Sequence, residues 1–155
     1  MAPTANNAQP ARVLYVKSDA AKERLIPCLN EGNVPKVQAA PATAIIGYDL
    51  AFHERFDELS GRSGGAVRFA ENASAAETFA FRNSSLQGAY FMLAARAFGL
   101  DVGPMSGFNN AAVDEGFFAG TEIKSNFLCS IVYGDTSGIR PRGPRVAFDE
   151  ISEIL

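Results

Sequence analysis

Between about Ala75 and Phe98 the chain carries its longest helical signal, and the second half, "AYFMLAARAF", is apolar on nearly every side. A helix with one face in water shows an apolar stripe and a polar one. A helix apolar all round must be covered all round. This segment therefore belongs at the centre of a domain or in a dimer interface, and the remaining elements must supply the cover. Gly99 follows it as a C′ residue, free to take the left-handed conformation that ends helices.

The covering elements are short. Arg12 to Lys17 reads as a strand, rich in Val, Leu and Tyr. Ser18 is placed to cap a helix over Asp19 to Leu29, which Pro27 should end or kink. "NEGN" is a turn, and Val34 to Ala40 is a short helix with Pro35 in its first turn. Thr43 to Tyr48, "TAIIGY", is apolar on both faces and so central in a sheet. A helix over Leu50 to Leu59 and a loop, "SGRSGG", lead to the long helix. After it, "DVGPMSGFN" reads as a turn-rich loop, "AAVDEGFFAG" as a short helix and Phe127 to Tyr133 as a third strand. The Pro- and Arg-rich tail beyond Gly134 should run extended to a short helix near Glu150. This order gives an α+β domain, a small sheet covered by helices. Three strands are few for 155 residues, so either a further strand or a further segment is expected.

Apolar residues at 47% and charged residues at 20% fit one packed domain rather than disorder. A net charge of −3 argues against a general nucleic-acid binder. Cys28 and Cys129 form no Cys-x-x-Cys pair and sit in apolar runs, as buried free thiols do. His53 is the only histidine, which gives a zinc centre or a Ser-His-Asp triad little support. The start has no signal-peptide pattern and no apolar run approaches ~18 residues, so a soluble cytoplasmic protein is expected.

Four polar segments could carry chemistry. "PTANNAQP" at the start offers amides suited to the polar edge of a heterocycle, or else is a self-bonded turn. Asn33 and Lys36 share a helix face, either for one ligand or for water. "GPMSGF", Gly103 to Phe108, can bring backbone N–H groups close to a ligand, or be a plain loop. Arg140, Arg142 and Arg145 lie in an extended "RPRGPR" whose guanidinium forks suit phosphate, or are simply solvated. No Walker loop or GxGxxG is present, so side chains would have to hold a phosphate.

Taken in order, these segments resemble the FMN-dependent nitroreductase family. "PTANNAQP" is similar to its Pro-Ser-Ser-x-Asn-x-Gln-Pro motif, with Pro3, Thr4, Ala5, Asn7, Gln9 and Pro10 in matching positions. "NVPKVQAAPATAII", "AFGLDVGPMSGF" and "RPRGPRVAFDE" resemble its flavin- and phosphate-contacting stretches. Within the family, "AFRNSSLQGAYFMLAARAFGLDVGPMSGFNNAAVD" and "SNFLCSIVYGD" look like the malonic semialdehyde reductase branch of the Rut pyrimidine-degradation pathway. The resemblance covers essentially the whole chain as one domain, 1–155.

It implies an α+β, three-layer fold with a mixed central sheet between helices, and a homodimer with FMN at the interface. Pro3, Thr4, Ala5 and Asn7 would reach the flavin of the partner subunit. Asn33 and Lys36 would face the polar edge of the ring, Lys36 stabilising negative charge on the reduced flavin. Asn83 would bond the ring, Ser106 and Gly107 would offer N–H groups near N5 and O4, and Arg142 and Arg145 would bind the phosphate. The activity implied is hydride transfer from NAD(P)H through flavin N5 to a small carbonyl, malonic semialdehyde becoming 3-hydroxypropionate. Reduction of nitroaromatics or quinones, and a non-catalytic flavin-binding remnant, are the alternatives. No metal and no acid/base side chain is indicated. Ala5 and Ser106 depart from the common Ser and Glu. The family's opening helices and its Arg-x-Ser/Thr-x-Arg segment have no counterpart, so N-terminal truncation is expected. Loss of two Arg–phosphate bonds would weaken flavin binding by about 100-fold or more.

Overall fold

The computed structural model describes residues 2–139 and 141–155. Four strands, β1 (Ala11–Val16), β2 (Ala42–Asp49), β3 (Asp101–Met105) and β4 (Ile123–Val132), form one sheet in the order β1-β2-β4-β3. All of its pairings are antiparallel. The α+β class and the flanking helices hold. The sheet itself is antiparallel among the described residues, where the resemblance implied a mixed one.

The additional strand is β3, inside the stretch read as a turn-rich loop. Gly103 and Pro104 disguise it. It lies at the sheet edge and pairs with β4 alone, a position that tolerates a proline without an N–H. β4 also starts well before the expected Phe127.

Side chains of β2 alternate between two layers. Ile45 packs with Val16, Leu25, Val37, Val113, Phe118 and Leu128. These come from β1, β4 and the helices α1 (Asp19–Leu25), α2 (Val34–Ala39) and α6 (Asn110–Phe118). Ala44 and Ile46 face the other way with Cys129, against Phe91, Met92 and Phe127. Both faces are covered, which is why this strand shows no polar alternation.

Two short helices, α3 (Phe56–Ser60) and α4 (Val67–Ala70), precede the long one. Phe52, Phe56 and Phe69 join Phe79, Tyr48 and Ala8 in a separate aromatic cluster. The long helix is α5 (Ala73–Ala97), whose N-terminus is capped by the Asn72 side chain accepting from Ala75 N. Gly99 does take the left-handed conformation, with φ 81°. A Cβ at Gly88 would lie 2.5 Å from the Phe127 ring, so glycine lets α5 sit close on the sheet. One side of α5 is not covered by this chain: Leu86, Tyr90 and Leu93 are exposed there, as are Phe81 elsewhere on the helix, Phe98 just beyond its end, and Leu14 and Tyr15 on the edge strand β1.

Ser18 caps α1 as expected, with Oγ accepting from Ala21 N at 3.3 Å. The helix stops at Leu25, and Pro27 sits in a 3-10 turn, Ile26–Cys28. The segment 141–147 has no regular structure and leads to α7 (Phe148–Ile151), which contains Glu150. Among the described residues no helix is long and apolar enough to cross a membrane.

Candidate functional site

The opening segment is a built loop. Asn6, Asn7 and Gln9 all have positive φ (51°, 54° and 48°), a conformation that costs non-glycine residues energy and persists only where surroundings impose it. The imposing bonds are visible. Ala5 N donates to Asn83 Oδ1 at 2.7 Å, Asn7 Nδ2 donates to Leu59 O at 3.0 Å, and Gln9 N donates to Thr4 Oγ1 at 3.2 Å. Gln9 Nε2 donates to Asn7 Oδ1 at 2.9 Å, and Ala8 is buried beneath. Arg12, which the sequence reading did not single out, closes the exit. It donates to Gln9 O at 3.1 Å and pairs with Asp49 at 2.6 Å. Pro3, Ala5, Asn6 and Asn7 remain exposed on the outer surface of this frame.

Asn83 is 2% exposed, and its Nδ2 donates to Phe79 O at 2.9 Å. Both ends of its amide are therefore engaged within the chain, one of them on the loop. Here it is the loop's anchor to α5.

A second group forms where β3 runs into α6. Asn30 N donates to Gly107 O at 3.0 Å, and Asn33 Nδ2 donates to the same oxygen at 2.9 Å. Lys36 Nζ donates to Asn33 Oδ1 at 3.0 Å. A Cβ at Gly107 would fall 2.7 Å from Asn33 Nδ2 and 3.2 Å from Asn30 Nδ2, so glycine is what lets these amides close on the loop. The structure thus brings Asn33, Lys36, Ser106 and Gly107 together, with Lys36 and Ser106 exposed. The ammonium has three hydrogens and spends one on Asn33, leaving two for a ligand. Asn30 belongs to this group too. "NEGN" read as a turn gave no sign of it.

The two groups bond to different elements, the opening loop to α3 and α5 and the Lys36 group to the β3–α6 connection. The basic tail joins neither. Arg142 and Arg145 are exposed, and Arg145 Nη1 donates to Gly143 O and Pro144 O, both at 3.0 Å. Arg140 lies outside the described residues. His53 Nδ1 lies 3.0 Å from Leu50 O. Cys129 is buried and Cys28 partly so, and burial pushes both thiols up from their ordinary range. Tyr48, another residue the sequence did not flag, donates to Glu77 Oε1 at 3.2 Å. Burial first, and then the Glu77 carboxylate, push its hydroxyl up to about 12.

The loop of polar donors and the lysine held by an asparagine beside a glycine turn both stand on a sheet covered by helices. The model of the nitroreductase family matches residues 1–134, and the chain belongs to that family. It is 57% identical over 152 residues to a Burkholderia lata protein named "Putative NADH dehydrogenase/NAD(P)H nitroreductase", spanning 98% of this chain and 78% of that one. The same fold occurs in a crystal structure described as a "putative nitroreductase in complex with FMN" from Exiguobacterium sibiricum. That match has TM-score 0.83 and 24% identity, covering 99% of this chain and 80% of the other. It occurs again in CLA-ER, described as an enone reductase of gut-bacterial fatty acid saturation (TM-score 0.84, 22% identity, 99% and 81% covered).

Proposed function

We propose that this chain is the subunit of a soluble cytoplasmic, homodimeric, FMN-dependent NAD(P)H oxidoreductase. The observation that carries the reading is the Asn33–Lys36–Gly107 arrangement. A cation with unused hydrogens is fixed beside a glycine turn that side chains cannot fill. Those donors match a planar ring with carbonyl and imine acceptors, so the residues fit the cofactor.

When bound, FMN supplies the two-electron chemistry, hydride uptake from NAD(P)H and delivery to the substrate. Lys36 holds positive charge where the reduced ring carries negative charge, and Asn33 orients it. Ser106 and Gly107 present backbone at the ring edge. Pro3, Thr4, Ala5 and Asn7 cover the ring of the partner subunit, with Asn83 keeping their loop in shape. Arg142 and Arg145 bring their guanidinium forks to the phosphate. Two features support the dimer. The loop and the Lys36 group share no hydrogen bond among the described residues, and α5 presents an uncovered apolar side.

The substrate we propose is malonic semialdehyde, reduced to 3-hydroxypropionate in pyrimidine degradation. Its support is the likeness of the long motifs around Asn83 and Ser106 to that branch. A second reading, nitroaromatic or quinone reduction, is favoured by the name of the Burkholderia lata relative. The test is flavin titration followed by NAD(P)H oxidation with each substrate class. A yellow dimer that turns over the semialdehyde faster than a nitroaromatic is expected. A protein that stays colourless in FMN and oxidises no NAD(P)H overturns the proposal.

A further inference from the structure

Beside the opening loop lies a pocket of about 420 Å³ that the reading above leaves without a role. Its floor is aromatic, made by Phe56, Phe69 and Phe79, and its rim carries Arg62, Arg68 and Asn6. Neither Arg62 nor Arg68 is ion-paired among the described residues, unlike Arg12, Arg55 and Arg96. Arg68 lies over the Phe69 ring, 5.7 Å from its centroid.

The segment that holds these guanidiniums is fixed. Asp57 Oδ2 accepts the Gly64 N–H at 2.7 Å and Oδ1 accepts the Ala66 N–H at 3.0 Å. Gly61 and Gly64 adopt φ of 67° and 83°. A Cβ at Gly65 would lie 2.5 Å from the Phe56 ring, so the segment packs directly on the floor. The acid that holds this segment is Asp57. Both its oxygens are committed to backbone N–H groups, and it does not line the pocket. Glu58 is paired with Arg55. Two cations on one concave wall, with no acid on that wall, are electrostatically incomplete, and arginine forks are completed by carboxylates. Asn7 Nδ2 ties the opening loop to Leu59 O at 3.0 Å, and Asn6 is part of the rim, so the pocket adjoins that loop.

We infer that Arg62 and Arg68 form an anion subsite that selects small carboxylate-bearing substrates and holds them beside the opening loop. The inference rests on the reading that this loop covers a flavin. It deepens that reading by assigning substrate charge recognition to residues outside the flavin contacts. An aldehyde with a carboxylate at its far end would dock the anion on the arginines and lay its short chain over the phenylalanines, leaving the carbonyl toward the loop.

The test uses the full chain with FMN added, 3-hydroxypropionate as the anionic probe and 3-hydroxypropionamide as its neutral isostere. Binding is followed by calorimetry and by amide NMR shifts at Gly64 and Gly65. The anion should bind about tenfold or more tightly than the amide, and R62Q/R68Q should remove that preference, as expected for a charge-assisted contact at a partly solvated site. A melting curve of the variant shows that the exposed substitutions leave the fold intact. Equal affinity for anion and amide, or an unchanged anion affinity in the variant, overturns the subsite. Flavin uptake is scored separately in the same samples. A chain that takes no FMN yet binds the anion through the arginines refutes the flavin reading and keeps the subsite.

Discussion

Gly107→Ala is a substitution that should damage the site and spare the fold. The φ of Gly107 is outside the left-handed region, so alanine is not conformationally strained there. The added Cβ, however, would stand 2.7 Å from Asn33 Nδ2 and 3.2 Å from Asn30 Nδ2. Both are ends of side chains and can swing away. Doing so sacrifices the Asn33–Gly107 bond of 2.9 Å and displaces the oxygen that holds Lys36 at 3.0 Å. A neutral hydrogen bond contributes about 0.5–1.5 kcal/mol net, and the exposed Lys36 bond adds little. Flavin-free protein should therefore melt only about 2–4 °C lower. FMN affinity depends on where the ammonium points, so a lost charge-assisted contact should weaken it about 10- to 100-fold.

Fluorescence titration of FMN and thermal melting of the flavin-free protein measure the two effects separately. The cycle with Asn33→Ala is decisive. With the amide gone, the new methyl has less to displace, and Gly107→Ala should cost far less FMN affinity in that background. The reasoning is refuted if Gly107→Ala binds FMN like the parent, or if its effect adds in full to that of Asn33→Ala. Gly88→Ala is the control in the opposite sense. Its Cβ would stand 2.5 Å from the packed Phe127 ring, so about 1–3 kcal/mol of stability should be lost.

Other consequences can be checked in the same preparations. Asn83→Ala leaves the Ala5 N–H without its partner and removes a second bond to Phe79 O, which should cost about 1–3 kcal/mol and speed hydrogen exchange at the backbone of residues 5–9. Asn72→Ala removes the N-cap of α5 and should cost about 1 kcal/mol in denaturant melts. Because the Tyr48 hydroxyl is raised to about 12 by burial and Glu77, its contribution is complete below about pH 10 and lost as pH rises toward 12; Tyr48→Phe should remove up to about 3 kcal/mol of pH-dependent stability loss from that window. Leu93 is 65% exposed on α5, and Leu93→Glu should give monomers by analytical ultracentrifugation, with FMN affinity lost alongside.

The layers of this fold were legible where burial writes a pattern. "TAIIGY" is apolar because helices cover both faces of β2, and the length and Gly99 stop of α5 show directly in the residues. β3 was hidden because Gly103 and Pro104 are turn formers by local propensity, and only the edge position makes them acceptable in a strand.

The site divides in the same way. Asn33 and Lys36 could be paired from their spacing, since a helix brings residues three apart together. Their partner Gly107 is 74 positions from Asn33, and the Cβ contact that demands a glycine exists only after β3 and α2 are packed. The opening loop was the hardest case. Its composition equally fits a frayed turn. What holds Asn6, Asn7 and Gln9 at positive φ is supplied from elsewhere: Asn83 lies 78 positions from Ala5, and Leu59 lies 52 from Asn7. Short-range patterns can identify residues able to contact a ligand. Whether they are held in a contacting shape is decided by long-range bonds that leave no periodic trace. The loop's strain and its anchors therefore have to be tested together. Releasing Asn83 should collapse the positive-φ geometry while leaving Pro3, Thr4, Ala5 and Asn7, the loop residues proposed to touch the flavin, unaltered.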